Sequence, residues 1–232
     1  MGGRTLSGEL RDYLGDAETR RAWSLAAQDG IISTAGILLG FSGAGASPAT
    51  LAIAGTAAIV AGMLTVGGAK WSETAVEREA QLRAIEDELT DLRLQRDRER
   101  VELVEHYERK GLSPGLAEQV ADELMRRSPL KAALESEHGI FRLTSGAEVV
   151  ISGIGAAIAF GLGAAIPFAI AYYLPMDIGI GVIVFAVLVS LTFVSIVGAR
   201  AGRMHVPRTI LRSLVIGSVT IVVSYLVGQI AF

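Results

Sequence analysis

Asp29 is the ionisable residue with the largest chemical consequence. It sits in Gln28-Asp29-Gly30-Ile31-Ile32-Ser33-Thr34, at the head of a segment otherwise apolar to about Ala46. An ionised carboxylate at membrane depth costs several kcal/mol unless it is paired, solvated or bound to a cation, so it marks a functional site by default. Its competing role is a helix-start carboxylate that caps backbone N–H groups near the membrane interface. Carboxylate oxygens suit Mn2+ and Fe2+, and their protonation would couple such an ion to H+. His106 and His138 add borderline nitrogen donors, although an isolated surface histidine is more often only that.

The elements that must position Asp29 are membrane helices. Hydrophobic residues make up 51% of 232, and the mean hydropathy is +0.46. A bilayer core about 30 Å thick needs roughly 20 apolar residues per helix. Five windows qualify: 22–46, 49–69, 147–174, 178–199 and 209–232. The third opens with Glu148 and the fifth carries Arg212 near its start. No strand alternation is present, so the fold class is all-α: a polytopic membrane protein with five transmembrane helices and a helical insert between helices 2 and 3. The first 21 residues are polar and charged, so no cleavable signal peptide is expected.

The expected division is an N-terminal segment 1–21, helices 1 and 2 in 22–69, an acidic helical domain in 70–146, and helices 3–5 in 147–232. Residues 70–146 hold 17 of the 24 acids and 13 of the 21 bases. Arg4, Arg11, Arg20 and Arg21 precede the first span, and Arg200, Arg203 and Arg208 follow the fourth. The loops at Ser47-Pro48 and Pro175-Met176-Asp177 have no base. Basic loops stay on the cytoplasmic side, which puts the N-terminus and the insert in the cytoplasm and the C-terminus outside. The bias of 18 Arg to 3 Lys hints at a GC-rich bacterial genome, and hence at a bacterial inner membrane.

Within the insert, Leu82, Ile85, Leu89 and Leu92 space as a coiled-coil-like seam. Polar residues 95–100 interrupt it, and Val101, Val104 and Tyr107 resume an apolar face. Gly111 reads as a C-cap, and Ser113-Pro114 and Ser128-Pro129 as helix starts. Ala117, Val120, Ala121, Leu124 and Met125 form an amphipathic stripe, and Gly139 ends the last helix. Gly36/Gly40, Ala157/Gly161 and Ala159/Gly163 stand four apart and read first as close helix packing. Pro167 reads as a kink and Pro207 as a helix start.

Soluble enzyme chemistry has no support. The chain has no Cys, no phosphate-binding glycine loop and no Ser/His/Asp set. Basic residues in the insert are offset by acids, which argues against nucleic acid.

Several runs together resemble the vacuolar iron transporter family. They are Asp29-Gly30-Ile31-Ile32-Ser33-Thr34-Ala35, Ala61-Gly62-Met63-Leu64-Thr65, Tyr107-Glu108-Arg109-Lys110-Gly111-Leu112-Ser113, Ala117-Glu118-Gln119-Val120-Ala121 and Glu137-His138-Gly139-Ile140. Phe160-Gly161-Leu162-Gly163-Ala164-Ala165-Ile166-Pro167, Gly198-Ala199-Arg200-Ala201-Gly202-Arg203 and Leu211-Arg212-Ser213-Leu214-Val215-Ile216-Gly217 extend the match. The resemblance runs from about Glu18 to Gly228. It implies a homodimer in the lipid bilayer, with an ion path along span one that moves Fe2+ or related divalent ions out of the cytosol against protons. It also implies a cytoplasmic domain that holds ions on glutamates. Carried over, the pathway acids are Asp29 and Glu18. The insert's Glu-x-x-Glu falls on Glu102 and Glu105, the acid before its final glycine on Glu137, and the acids of its first helix on Glu88 and Asp91.

The departures are Ala22, where the family often has an acid, Val66, where it has methionine, and Lys70, where it has glutamate. Lys70 either snorkels to the membrane boundary or stands in the path and replaces a cation. Two functional readings follow. One is a divalent cation exporter of Fe2+ or Mn2+, with Zn2+ or Co2+ as further substrates and no tightly bound cofactor. The other is a non-transporting or metal-sensing membrane protein of the same fold.

Overall fold

A computed structural model describes residues 15–173 and 180–231. Among the described residues every regular element is a helix: α1 (Ala17–Gly43), α2 (Pro48–Leu94), α3 (Arg96–Arg109), α4 (Pro114–Arg127), α5 (Pro129–Glu137), α6 (Gly146–Tyr173), α7 (Ile180–Ala201) and α8 (Val206–Ala231). Five of them (α1, α2, α6, α7 and α8) are long and apolar enough to cross a membrane. The loop expected at Pro175-Met176-Asp177 lies outside the described residues. The chain forms two compact units, one of residues up to 72 with 150 onward, the other of 73–149.

In the membrane unit, α1 starts five residues earlier than hydropathy alone suggests. Asp16 supplies the N-cap, its Oδ2 accepting from the Thr19 N–H at 2.9 Å. The helix thereby takes in Arg20 and Arg21, which do more than set orientation. Arg20 Nε donates to the Ala201 carbonyl at 2.8 Å and Arg21 Nε to that of Gly202 at 2.5 Å. These side chains satisfy acceptors at the end of α7, where the last carbonyls lack helical partners. Ile31, Ala35 and Leu39 of α1 pack with Val187 and Leu191 of α7 and Ile221 of α8. Buried Gln28 ties α1 to α8, its Oε1 accepting from Ser213 Oγ at 2.6 Å. Such a bond is retained because lipid offers a polar group no alternative partner.

Small residues let these helices touch along their backbones. A methyl group at Gly163 would collide with the backbone of Ala27, and one at Gly228 with the carbonyl of Gly40. A methyl on Gly161 would meet Met63, and one on Gly36 would meet Thr220 and Ser224 of α8. Pro167 is buried inside an unbroken α6, and Pro207 stands in the first turn of α8.

In the other unit, α2 runs to Leu94, and α3 starts after a break at Gln95. Gly111 (φ 97°) and Gly139 (φ 64°) end α3 and α5 in the left-handed region, as a C-cap glycine does. Ser113-Pro114 and Ser128-Pro129 open α4 and α5. Ala121 and Met125 of the α4 stripe are buried against Leu103 and Ala132, with Leu92, Val104, Tyr107 and Leu124 at the margin. Two expectations need correction. The buried apolar residue of α3 is Leu103, while Val101 is half exposed. On α2 the inward positions are Thr74, Ala84 and Glu88, and Leu82 and Leu89 are exposed. The inner seam of α2 is polar, so apolar periodicity points to the neighbouring stripe. The chain returns through Thr144, whose N–H donates to Gln81 Oε1 at 2.8 Å. Arg142 then grips Glu148 with two bonds of 2.8 Å.

Gly163→Val should disrupt α1–α6 packing at a cost of at least about 2 kcal/mol. Gly68→Ala, with open space around the added methyl, should be silent. Melting temperatures of the two purified variants check this; equal stability would refute the close backbone approach.

Candidate metal centre

The insert gathers acids from three helices. Glu88 comes from α2, Glu99 and Glu102 from successive turns of one face of α3, and Glu137 and His138 from the end of α5. The break at Gln95 lets α3 turn back, so that Glu99 reaches Glu88. One donor atom each from Glu88, Glu137 and His138 lies within 4.8 Å of the others, and the same holds for Glu99, Glu102 and Glu137. Glu137 is common to both groups. His138 Nε2 stands 3.1 Å from Glu88 Oε1.

The electrostatics are unfavourable without a cation. Glu88 and Glu99 are only 3% and 5% exposed, and Oε2 of each receives no hydrogen bond. Burial raises the Glu88 pKa, and the charge of Glu137 adds to it, while His138 opposes the shift. Glu99 is pushed up to about 7 by burial and then by the charges of Glu88, Glu102 and Asp91. Burial likewise raises Glu137, together with the charge of Glu99. Glu137 also occupies the last turn of α5, which holds no base, and the negative end of a helix dipole disfavours an anion. Arg98 Nε takes one oxygen of Glu102 at 2.7 Å, but that pair is solvent-exposed and weak. A divalent ion, or protons in its place, would neutralise this excess.

A sequence model of the VIT family matches residues 20–229, from α1 through most of α8. The chain belongs to the VIT family. No curated protein matches it. The VIT family is one of membrane metal-ion transporters, which gives the carboxylate group of the insert a context.

In this VIT-family chain, Glu88, Glu102 and Glu137 of the sequence-derived residues come together. Asp91 lies close enough for its charge to act on Glu88 and Glu99, but it is outside the close donor groups. Glu105 is not brought in. It is exposed and faces Arg109 at 3.9 Å. Glu99 takes the place that the resemblance assigned one turn further along, and sequence reasoning missed it inside the polar run 95–100. The available signal was its position four residues before buried Leu103 and three before Glu102.

Asp29 lies twelve residues inside α1, which removes the helix-cap alternative, since Asp16 holds that role. Its carboxylate is exposed and accepts from Ser33 Oγ at 3.0 Å. Leu25, Asp29, Ser33, Ile37 and Phe41 recur every four residues as the outward stripe of α1. Exposed Glu18 is eleven residues, about three turns, before Asp29 and shares its face. Lys70 is half-buried on α2, next to Trp71, whose Cβ packs at Gly153 of α6.

Glu99 holds its proton to about pH 7 folded against 4.5 unfolded, so the folded state binds more protons between those values. Stability therefore falls as pH rises through that window and is lowest above it. In chelator, Glu99→Gln should raise the melting temperature at pH 8 and leave it nearly unchanged at pH 4.5. An equal gain at both pH values would refute the assignment.

Proposed function

We propose that the protein exports divalent cations, Fe2+ or Mn2+ with Zn2+ and Co2+ as further substrates, from the cytosol in exchange for protons. The observation that carries this reading is the buried pair Glu88 and Glu99, each with an oxygen that meets no donor. Carboxylates in that state favour a hard or borderline divalent ion. Glu99 holds its proton to about pH 7 and burial also raises Glu88, so metal arrival releases protons. Glu88, Glu99, Glu102 and Glu137 hold the ion in the insert, with Asp91 adding field.

In the membrane unit the path runs along the outward stripe of α1. A charged group on a lipid-facing surface is costly, so Asp29 is covered by a second copy of the chain in a homodimer. The neighbouring open groove of about 500 Å³ between α1 and α8 is mostly apolar, with Ser33, Thr220 and Ser224 as its polar groups, and suits packing of the second copy. Glu18, three turns away on the same face, receives the ion at the cytoplasmic end. The distribution of Arg sets this orientation, and the arginine-rich composition fits a bacterial inner membrane.

Proteoliposomes with an imposed pH gradient test the proposal. Metal-dependent flux should appear with Fe2+ or Mn2+ and fall at least tenfold in Asp29→Asn. No flux with Fe2+, Mn2+, Co2+ or Zn2+ would sink it and favour a metal-sensing protein of the same fold.

Lys70 gives a second test. An ammonium about 8 Å from a divalent ion, at an effective dielectric of about 40, repels it by about 2 kcal/mol, more than tenfold in occupancy. Lys70→Glu combined with Val66→Met should then raise flux severalfold. Unchanged flux would place Lys70 outside the path.

A further inference from the structure

The two donor groups that share Glu137 differ in chemistry. Glu99, Glu102 and Glu137 offer only oxygen, whereas Glu88, Glu137 and His138 include an imidazole nitrogen. Two ligands about 2.1 Å from one ion, at tetrahedral or octahedral angles, stand roughly 3.0–3.4 Å apart. The 3.1 Å between His138 Nε2 and Glu88 Oε1 already has that spacing. Glu88 is 3% exposed and its second oxygen has no hydrogen-bond partner, an independent sign that this half of the centre awaits a ligand.

The backbone holds His138 in place. It caps α5, donating its N–H to the Leu134 carbonyl at 3.3 Å. Gly139 then turns the chain in the left-handed region, and the Ile140 N–H returns to the same carbonyl at 2.9 Å. The ring therefore starts from a fixed point at the rim, with its side chain 38% exposed and facing a buried carboxylate. His106, by contrast, stacks edge-on against Tyr107 and belongs to no donor group among the described residues.

We propose that His138 is a metal ligand of the Glu88–Glu137 half of the centre and makes that half prefer borderline ions such as Co2+, Zn2+ and Fe2+ over Mn2+. Imidazole nitrogen suits those ions, while carboxylate and water suit Mn2+ and Ca2+. The inference rests on the reading of the insert as a metal-holding centre. Nε2 and Oε1 are 3.1 Å apart, and an entering cation would take the place of their hydrogen bond.

The test uses the full-length protein in detergent, titrated with Co2+ and followed by its visible absorption. Mn2+ is titrated in parallel and followed by the loss of its free-ion electron spin resonance signal. His138→Gln should lower the ratio of Co2+ to Mn2+ affinity at least tenfold, on the scale of losing one ligand. His138→Asp should restore Mn2+ affinity but not the preference for Co2+, which separates a ligand from a purely structural residue. Glu99→Gln should weaken both metals by similar factors. An unchanged ratio in His138→Gln, or a Co2+ preference recovered by aspartate, overturns the role of His138 and leaves the carboxylate centre standing. Wild-type protein that binds neither metal overturns both.

Discussion

A carboxylate removed from water must meet a positive charge, and both parts of this protein are organised around that demand. In the insert the acids converge because the helices between them are short and their packing positions small. Ala117, Ala121, Ala132 and Ala133 are all buried, so α4 and α5 approach closely enough for the end of α5 to reach α2 and α3. Larger side chains there would bring more apolar burial, yet would push Glu137 and His138 out of range. Helix ends are otherwise well matched. Arg126 and Arg127 stand in the last turn of α4, and Arg96 Nη2 donates to the Met125 carbonyl at 3.0 Å. Against that background, the unbalanced acid Glu137 in the last turn of α5 is a departure from helix electrostatics.

The membrane unit meets the same demand differently. Buried Gln28 is tied to Ser213, and Arg20 and Arg21 satisfy carbonyls at the end of α7. Asp29 is left on the outside of α1 with Ser33 as its partner. Helices that touch at glycine bury much of their surface against one another. Glycine therefore closes α1 against α6 and α8 and leaves Asp29 on the outward stripe of α1.

The membrane spans and the helix ends at Gly111 and Gly139 were legible because hydropathy, proline and glycine act locally. Windows of some 20 apolar residues survive whatever their neighbours do, and Gly111 and Gly139 end helices through their own backbone freedom. The centre was legible only in part. Glu88, Glu102 and Glu137 could be carried over by resemblance, but the register of α3 could not be read from charge alone. Residues 95–100 are uniformly polar, so nothing local shows that Glu99 turns inward while Arg98 and Arg100 do not. The deciding contact is Leu103 against α4, a tertiary fact. The same holds for α2, where Leu82 and Leu89 have the right period but the inward face carries Thr74 and Glu88. An inward seam carrying Thr74 and Glu88 displaced the apolar one, and such a departure from local pattern is where sequence reasoning fails.

These displacements bear on how the chain discriminates among ions. The resemblance expects a methionine and a glutamate on α2, where this protein has Val66 and Lys70. A thioether distinguishes late transition metals from hard ions, and valine cannot. Any discrimination by donor type would then have to arise elsewhere in the chain. Oxygen-only groups separate Mn2+ from Fe2+ poorly, because both accept carboxylates and differ little along the affinity series. The insert centre contains a donor of another kind, the nitrogen of His138, held beside a buried carboxylate. On the proposed role of His138, selection among divalent ions would move from the α2 positions of Val66 and Lys70 to the end of α5.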